Sequence, residues 1–230
     1  MMLRVVELGL MPYADAFELQ KRLTEQRRTN EIPDTLLLLE HPPTITLGRN
    51  ADRSHIVAKP DELALLGIEC TESDRGGDVT YHGPGQLVGY PILDLNAPPH
   101  SPDLHEYFRR IEETLICSLK TFGIAGERFP GYTGVWVRRE KGSLEKIGAI
   151  GIRVSRWITR HGFAFNICSD LSHFEAIVPC GIHDYGVTSV SQVLGRHVGV
   201  SEAIPSVIDS FASTFDVQVE RVPASSLYPG

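Results

Sequence analysis

RGGDVTYHGPGQLVGYP, residues 75–91, packs five glycines, one His and one Arg into seventeen positions that would otherwise read as two strands. Glycine permits positive φ and lets a ligand approach the main chain without a Cβ in the way, at an entropic cost that a purely structural sheet avoids. The stretch therefore predicts strands with something laid against their backbone. Gly83, Pro84 and Gly85 stand between VTY and QLVGYPI, where they would on their own make a hairpin connection. Neither the GxxxxGK[ST] spacing nor a GxGxxG opening a helix is present, so nucleotide phosphate is not the first expectation.

Working outward, residues 3–8 read as a strand, and Pro12 opens a helix to Arg28 with Tyr13, Ala16, Phe17 and Leu23 at helical spacing. TLLLLE at 35–40 is a continuous apolar run, which fits a buried strand, and TITLG at 44–48 follows a turn at His41, Pro42 and Pro43. Residues 61–66 suggest a short helix. Beyond the loop NAPPHSP at 96–102, Leu104, Tyr107, Phe108, Ile111, Leu115, Leu119 and Phe122 form one apolar stripe that Gly123 stops. Strands are expected at 134–138, 145–154, 161–167 and 217–220, with helices at 189–194 and 202–215.

Strands outnumber helices, and several links are too short for parallel crossovers. The expected class is α+β, a mixed, largely antiparallel β-sheet with flanking helices, and not a doubly wound fold. A single domain over 1–230 fits the length of 230 residues, and 196–230 could form a small C-terminal helical lobe.

A formal charge of −7 argues against nonspecific binding to nucleic acid or to an anionic membrane. No apolar run is long enough to span a bilayer, and no secretory signal is visible. The four cysteines show neither CxxC nor His-rich zinc spacing, so a reduced cytoplasmic compartment and no metal are expected.

Cys180 sits in VPCGI. Pro179 restricts the approach to it and Gly181 frees the exit, which would present the thiol on a turn. Cys70, Cys117 and Cys168 lack such flanks and are expected as small structural hydrophobes. A nucleophilic thiol needs a nearby base or cation. His82 and Lys146 are the candidates. Lys146 opens the apolar strand KIGAIGI, where it is either a strand-end charge reaching solvent or a desolvated lysine able to act as a base.

RGGDVTYHGPGQLVGYPILDL, KIGAIGIRVSR, HGFAFN and VPCGI, in that order and preceded by LLLEHPPTITLGR, resemble the signature segments of the lipoyl(octanoyl) transferases. The resemblance runs from about Thr35 to Leu194. It implies the fold of the biotin and lipoate protein ligase catalytic domains and a Cys/Lys dyad of Cys180 and Lys146. It implies further that acyl and pantetheine contacts fall on Arg75, Gly76, Gly77, Asp78, Val79, Thr80, Tyr81 and His82, on Ala149, Ile150 and Gly151, and on Gly162, Phe163 and Ala164. Asp78 stands where Gln or Lys is commoner in the family, which puts any contact through that side chain in doubt.

The implied reaction moves an octanoyl or lipoyl group from the phosphopantetheine thioester of acyl carrier protein to a lysine of an apo lipoyl domain, on 2-oxoacid dehydrogenases or the glycine cleavage H protein. It passes through a Cys180 acyl-enzyme and needs no ATP, metal or other cofactor. Lys146 would exchange the protons, and backbone N–H groups of Cys180 and Gly181 would serve as oxyanion donors. Small residues such as Gly76, Gly77, Gly151 and Gly162 would leave a narrow acyl tunnel. His82 is expected to orient, and Arg49, Arg53, Arg75, Arg153, Arg156 and Arg160 to form a basic rim for acidic carriers. The alternatives are an ATP-dependent lipoate or biotin protein ligase and a non-catalytic carrier-binding domain.

Overall fold

A computed structural model describes residues 1–139, 142–178 and 185–228. In chain order the elements are β1 (Met2–Leu10), α1 (Tyr13–Arg28), β2 (Thr35–Glu40), β3 (Thr44–Leu47), α2 (Pro60–Leu65), β4 (Glu69–Glu72), β5 (Val79–His82), β6 (Gln86–Ile92) and α3 (Leu104–Thr121). After these come β7 (Gly126–Phe129), β8 (Tyr132–Arg138), β9 (Leu144–Ser155), β10 (Ile158–Asn166), β11 (Gly186–Val187), α4 (Val190–Leu194), α5 (Val200–Phe215) and β12 (Gln218–Val222).

The main sheet runs β12-β1-β2-β6-β10-β9-β8-β7, with β11 added beside β9, and a second sheet runs β4-β3-β5. Pairs from β2 through β6, β10, β9 and β8 to β7 are antiparallel, while β12, β1 and β2 are mutually parallel, as α1 crosses between β1 and β2. The mixed, largely antiparallel α+β expectation holds.

The continuous apolar run of β2 is explained by burial on both faces. Leu36 and Leu38 face a core with α3 and α5, and Leu37 and Leu39 face α1 through Ala16, Leu19 and Leu23. The α3 stripe delivers Tyr107, Ile111, Leu115 and Leu119, all fully buried, each gaining about 1.5–3 kcal/mol from burial. Asp103 caps this helix by accepting the His105 and Glu106 N–H groups, and Gly123, at φ +74°, ends it. Leu104, read as part of the stripe, stands exposed on the first turn. Val207, Phe211 and Phe215 of α5 enter the same core as α3, and β12 edges the main sheet. Helix α5 is thus built into that core, while Val222, Ala224 and Leu227 pack into the core on the α1 face.

The two glycine-rich strands do not form a hairpin with each other. β5 pairs with β3 in the small sheet, while β6 pairs with β2 and β10 in the main one. Gly85, at φ +83°, turns the chain from one sheet to the other; a Cβ there would lie 2.7 Å from the Cys168 carbonyl. Its N–H donates to the Glu40 carboxylate at 2.7 Å, and its carbonyl accepts the Ile167 and Cys168 N–H groups. Strands β4 and β7 have no counterpart in the sequence reading, because both are short and at most half buried.

Candidate active site

A cavity of about 480 Å³ opens where the two sheets meet, within the size range of small-molecule clefts. Its long wall is the β9–β10 ladder. Ala149 is paired with Ala164, Gly151 with Gly162, and Ile152 with His161. Facing that wall is the segment Arg75–His82. The cavity is lined by Lys146, Arg75, Gly76, Gly77, Asp78, Thr80, His82, Ala149, Ile150, Gly151, Gly162, Phe163 and Ala164.

Val79 and Tyr81 do not line it. Alternation along β5 turns their side chains into the core of the small sheet with Ile45 and Leu47, the reverse face of the one that carries Thr80 and His82. Cys180, with Pro179 and Gly181–Asp184, lies outside the described residues. On either side of that segment the Val178 N–H donates to the His55 carbonyl at 2.7 Å, and β11 pairs Val187 with Lys146.

The glycines act mainly between backbones. Gly76 N–H donates to the Ile152 carbonyl at 2.8 Å, drawing the loop onto β9, and Gly77 holds φ +89°. At Gly162 a Cβ would come 2.2 Å from the Gly89 carbonyl oxygen, so the contact with β6 by itself requires a glycine at this position, which also lines the cavity. Gly89 in turn makes room for the Phe163 ring.

Arg75 is a structural strut of this wall. It is buried, donating Nε and Nη2 to Thr46 Oγ1 at 3.1 and 2.9 Å and Nη2 to the Thr46 carbonyl at 2.7 Å. Three of the other arginines expected on a basic rim are engaged in ion pairs, while Arg49 and Arg156 stand exposed. Arg153 and Arg160 pair with Asp74, and Arg53 pairs with Glu72. Burial alone would raise the Asp74 carboxyl, but the bond from His161 and the two guanidinium groups hold it below its usual value. Asp78 reaches away to the 52–55 turn, where it accepts from His55 Nδ1 and from the Asp52 N–H.

The inner end of the cavity is polar. Gln86 Nε2 donates to the Tyr81 carbonyl and to Asn166, which turns its Oε1 toward His82 Nδ1 at 2.7 Å and leaves His82 Nε2 as an acceptor. Burial pushes His82 well below the ordinary imidazole value, and His41 behind it is pushed down to about 4. His41 Nδ1–H donates to the Met11 carbonyl, and the Tyr90 hydroxyl donates to its Nε2. His161 is lowered by burial against the pull of Asp74, which accepts its Nε2–H at 2.7 Å. Tyr13 stacks on His82 and hydrogen-bonds Ser73 at 2.7 Å. Burial therefore favours the neutral form of His82.

Lys146 stands at the other end, half-buried on β9, with its Nζ 4.8 Å from the centre of the Trp136 ring. Among the described cysteines, Cys70 is exposed and Cys117 and Cys168 are half-buried, where core positions were expected. Burial pushes each thiol above its usual value, so none is activated. Among the described residues no group of three or more His, Cys, Asp or Glu is placed to hold a metal ion, and no helix is long and apolar enough to cross a membrane.

Tyr13, Asn50, Tyr90, Phe108, Gly131, Tyr132, Thr133, Ile152 and His161 also line the cavity and were missed from the sequence. Phe108 and Tyr13 sit on the edges of helical stripes that read as core. His161 alone carried a signal, at the start of HGFAFN, and it holds φ +58° within a strand.

Comparison with known proteins gives consistent likenesses. The lipoyl protein ligase A/B catalytic domain family matches residues 12–212. An octanoyltransferase of Chloroflexus aggregans is 51% identical over 217 residues, covering 94% of this chain and 96% of that protein. Among solved structures, a bi-partite lipoate protein ligase from Thermoplasma acidophilum superposes with a TM-score of 0.75 at 17% identity, covering 99% of this chain and 89% of that one. A lipoate-protein ligase A bound with ATP gives 0.74 at 18% identity, over 99% and 91%.

Proposed function

Because the chain belongs to the lipoyl protein ligase A/B catalytic-domain family, we propose that it transfers an octanoyl group from the phosphopantetheine thioester of acyl carrier protein to a lysine of apo lipoyl domains. It is an acyltransferase of the octanoyl/lipoyl class, as its similarity to octanoyltransferases across nearly the whole chain requires. The donor, the acceptors on 2-oxoacid dehydrogenases and the glycine cleavage H protein, and the cytoplasmic setting are part of the proposal.

One observation carries the chemical reading. A cavity walled by the small residues of β9 and β10 has a lysine in its lining, and β11, seven residues past Cys180 at Val187, pairs with that lysine's strand. In the proposed course Cys180 gives its proton to Lys146 and attacks the thioester carbonyl, releasing the pantetheine thiolate. The acceptor amine then attacks the acyl-enzyme, with Lys146 exchanging the protons of both steps. The acyl chain lies along Ala149, Gly151, Gly162 and Ala164. Thioester to amide is downhill, so no ATP is needed.

The fold alone does not separate transfer from ATP-dependent ligation, since ligases share it. Intact-mass measurement after mixing with octanoyl carrier protein, without ATP, separates them. An octanoyl adduct in wild type that is lost in Cys180→Ala supports the proposal, and strict dependence of transfer on ATP overturns it. Failure of any adduct to form under productive conditions would favour a carrier-binding role.

A further inference from the structure

Four aromatic rings gather around the Lys146 end of the cavity. Phe129 and Tyr132 stack nearly parallel at 5.1 Å across the β7–β8 turn. Both meet Trp136 edge-on, at 5.6 and 5.9 Å, and Tyr185 closes the group at 5.6 Å from the same indole. Trp136 is 1% exposed, so its ring orientation is fixed by its neighbours. Lys146 Nζ lies 4.8 Å from that ring's centre.

The chain gathers these rings from two places. Phe129, Tyr132 and Trp136 come from one hairpin, whereas Tyr185 immediately precedes β11, which pairs Gly186 with Glu145 and Val187 with Lys146. The quartet thus fastens the strand that carries the lysine, the ring beneath its amine and the first described residue beyond 179–184.

An aromatic face attracts an ammonium through its quadrupole and has no comparable attraction for a neutral amine. In the proposed chemistry the Cys180 S–H bond breaks, an N–H bond forms on Lys146, and the products are a thiolate and an ammonium. Whatever favours the ammonium therefore favours the nucleophilic thiolate. Resting on that reading of Cys180 and Lys146, we infer that Trp136, held by Phe129, Tyr132 and Tyr185, is a positioning residue that sets the proton distribution of the dyad.

Among the described residues, the ionisable groups on the elements packed around Lys146 include Tyr132 on β8, Tyr185 before β11, Glu145 on β9, which pairs with Arg139, Arg138 on β8, which pairs with Glu127 on β7, and Glu112 and Glu113 on α3. Glu112 accepts the Gly134 N–H and pairs with Arg109 and Arg128. His82 also lines the cavity, tied through Gln86, Asn166 and Thr188 to the Lys146 strand, and burial holds its pKa well below the ordinary imidazole value. Replacing Trp136 leaves all of these in place and removes the ring face. Its indole N–H has no hydrogen-bond partner among the described residues, so no such bond is lost.

The test is the rate of Cys180 alkylation by iodoacetamide against pH, read by peptide mass in the full chain. Trp136→Leu should raise the apparent pKa of the reaction by about 0.5–1.5 pH units, and Trp136→Phe, which keeps a weaker aromatic face, by less. An unshifted profile in a folded Trp136→Leu overturns the inference. If that variant fails to fold, Trp136→Phe decides, a small upward shift supporting the role and none refuting it. Should wild-type Cys180 titrate like an ordinary thiol, unmoved by Lys146→Ala, it is the dyad itself that fails, an outcome distinct from a dyad that Trp136 does not tune.

Discussion

The two ends of the cavity differ in burial and in solvent. At the inner end Tyr13, His82, Tyr90 and His161 are polar, buried and hydrogen-bonded; burial lowers the pKa of both histidines, and Arg75 is the charged group beside them. At the other end Lys146 is half-buried on an aromatic face beside the exposed ring of Tyr132. His161 stands opposite Ile152, six residues along β9 from Lys146 and roughly 20 Å of strand away, whereas the His82–Gln86–Asn166 chain reaches back through Thr188 to the Lys146 strand. Burial favours neutral groups, and a ring face favours a cation. On the proposed reading, proton chemistry belongs to the lysine end and shape to the buried one.

Three measurements strain that division, beginning with the largest expected effect. Lys146→Ala should slow transfer by about 10²–10⁴-fold, the range for a lost acid–base group, while thermal unfolding moves little because the side chain is half-solvated. A loss of activity matched by a collapse in stability would make Lys146 structural and erase the contrast.

The inner end should report through acid stability. His41 titrates near 6.5 when unfolded and at about 4 when folded. The unfolded chain therefore binds the extra proton first, so stability is full above about pH 6.5 and falls as pH drops toward 4. From pH 6.5 to 5 the loss from this one group is about 2 kcal/mol. Urea unfolding across that range should show it, and His41→Asn should flatten the slope; an unchanged slope would falsify the claim of a neutral buried imidazole.

The smallest effect belongs to Asp78, which lines the cavity between the two ends but spends its carboxylate on His55 and Asp52. For Asp78→Asn we expect a stability loss of about 1 kcal/mol or less and an unchanged KM for the acyl donor. A KM raised several-fold would place this side chain on the substrate after all.

How much of this was legible beforehand divides along similar lines. The α3 stripe, the doubly buried run of β2 and the strands of the KIGAIGI and HGFAFN segments follow from side-chain periodicity, which is a property of neighbours along the chain. The Gly83–Gly85 turn was legible as a turn but not as a passage between sheets, because the partners of β5 and β6 come from β3, β2 and β10. Val79 and Tyr81 could be named within a binding motif, yet only the position of the small sheet shows which face of β5 meets the cavity.

The sequence by itself determined the fold class, the family and the residue types brought to the site, since ordered motifs and alternation survive in one dimension. Only the tertiary structure decided that Gly162 serves a backbone contact with Gly89, that Asp74 draws Arg153 and Arg160 off the basic rim, and that Trp136 lies under Lys146. Each of these depends on the spatial order of strands remote in sequence, and the strength of contacts and charges is set by distance in space.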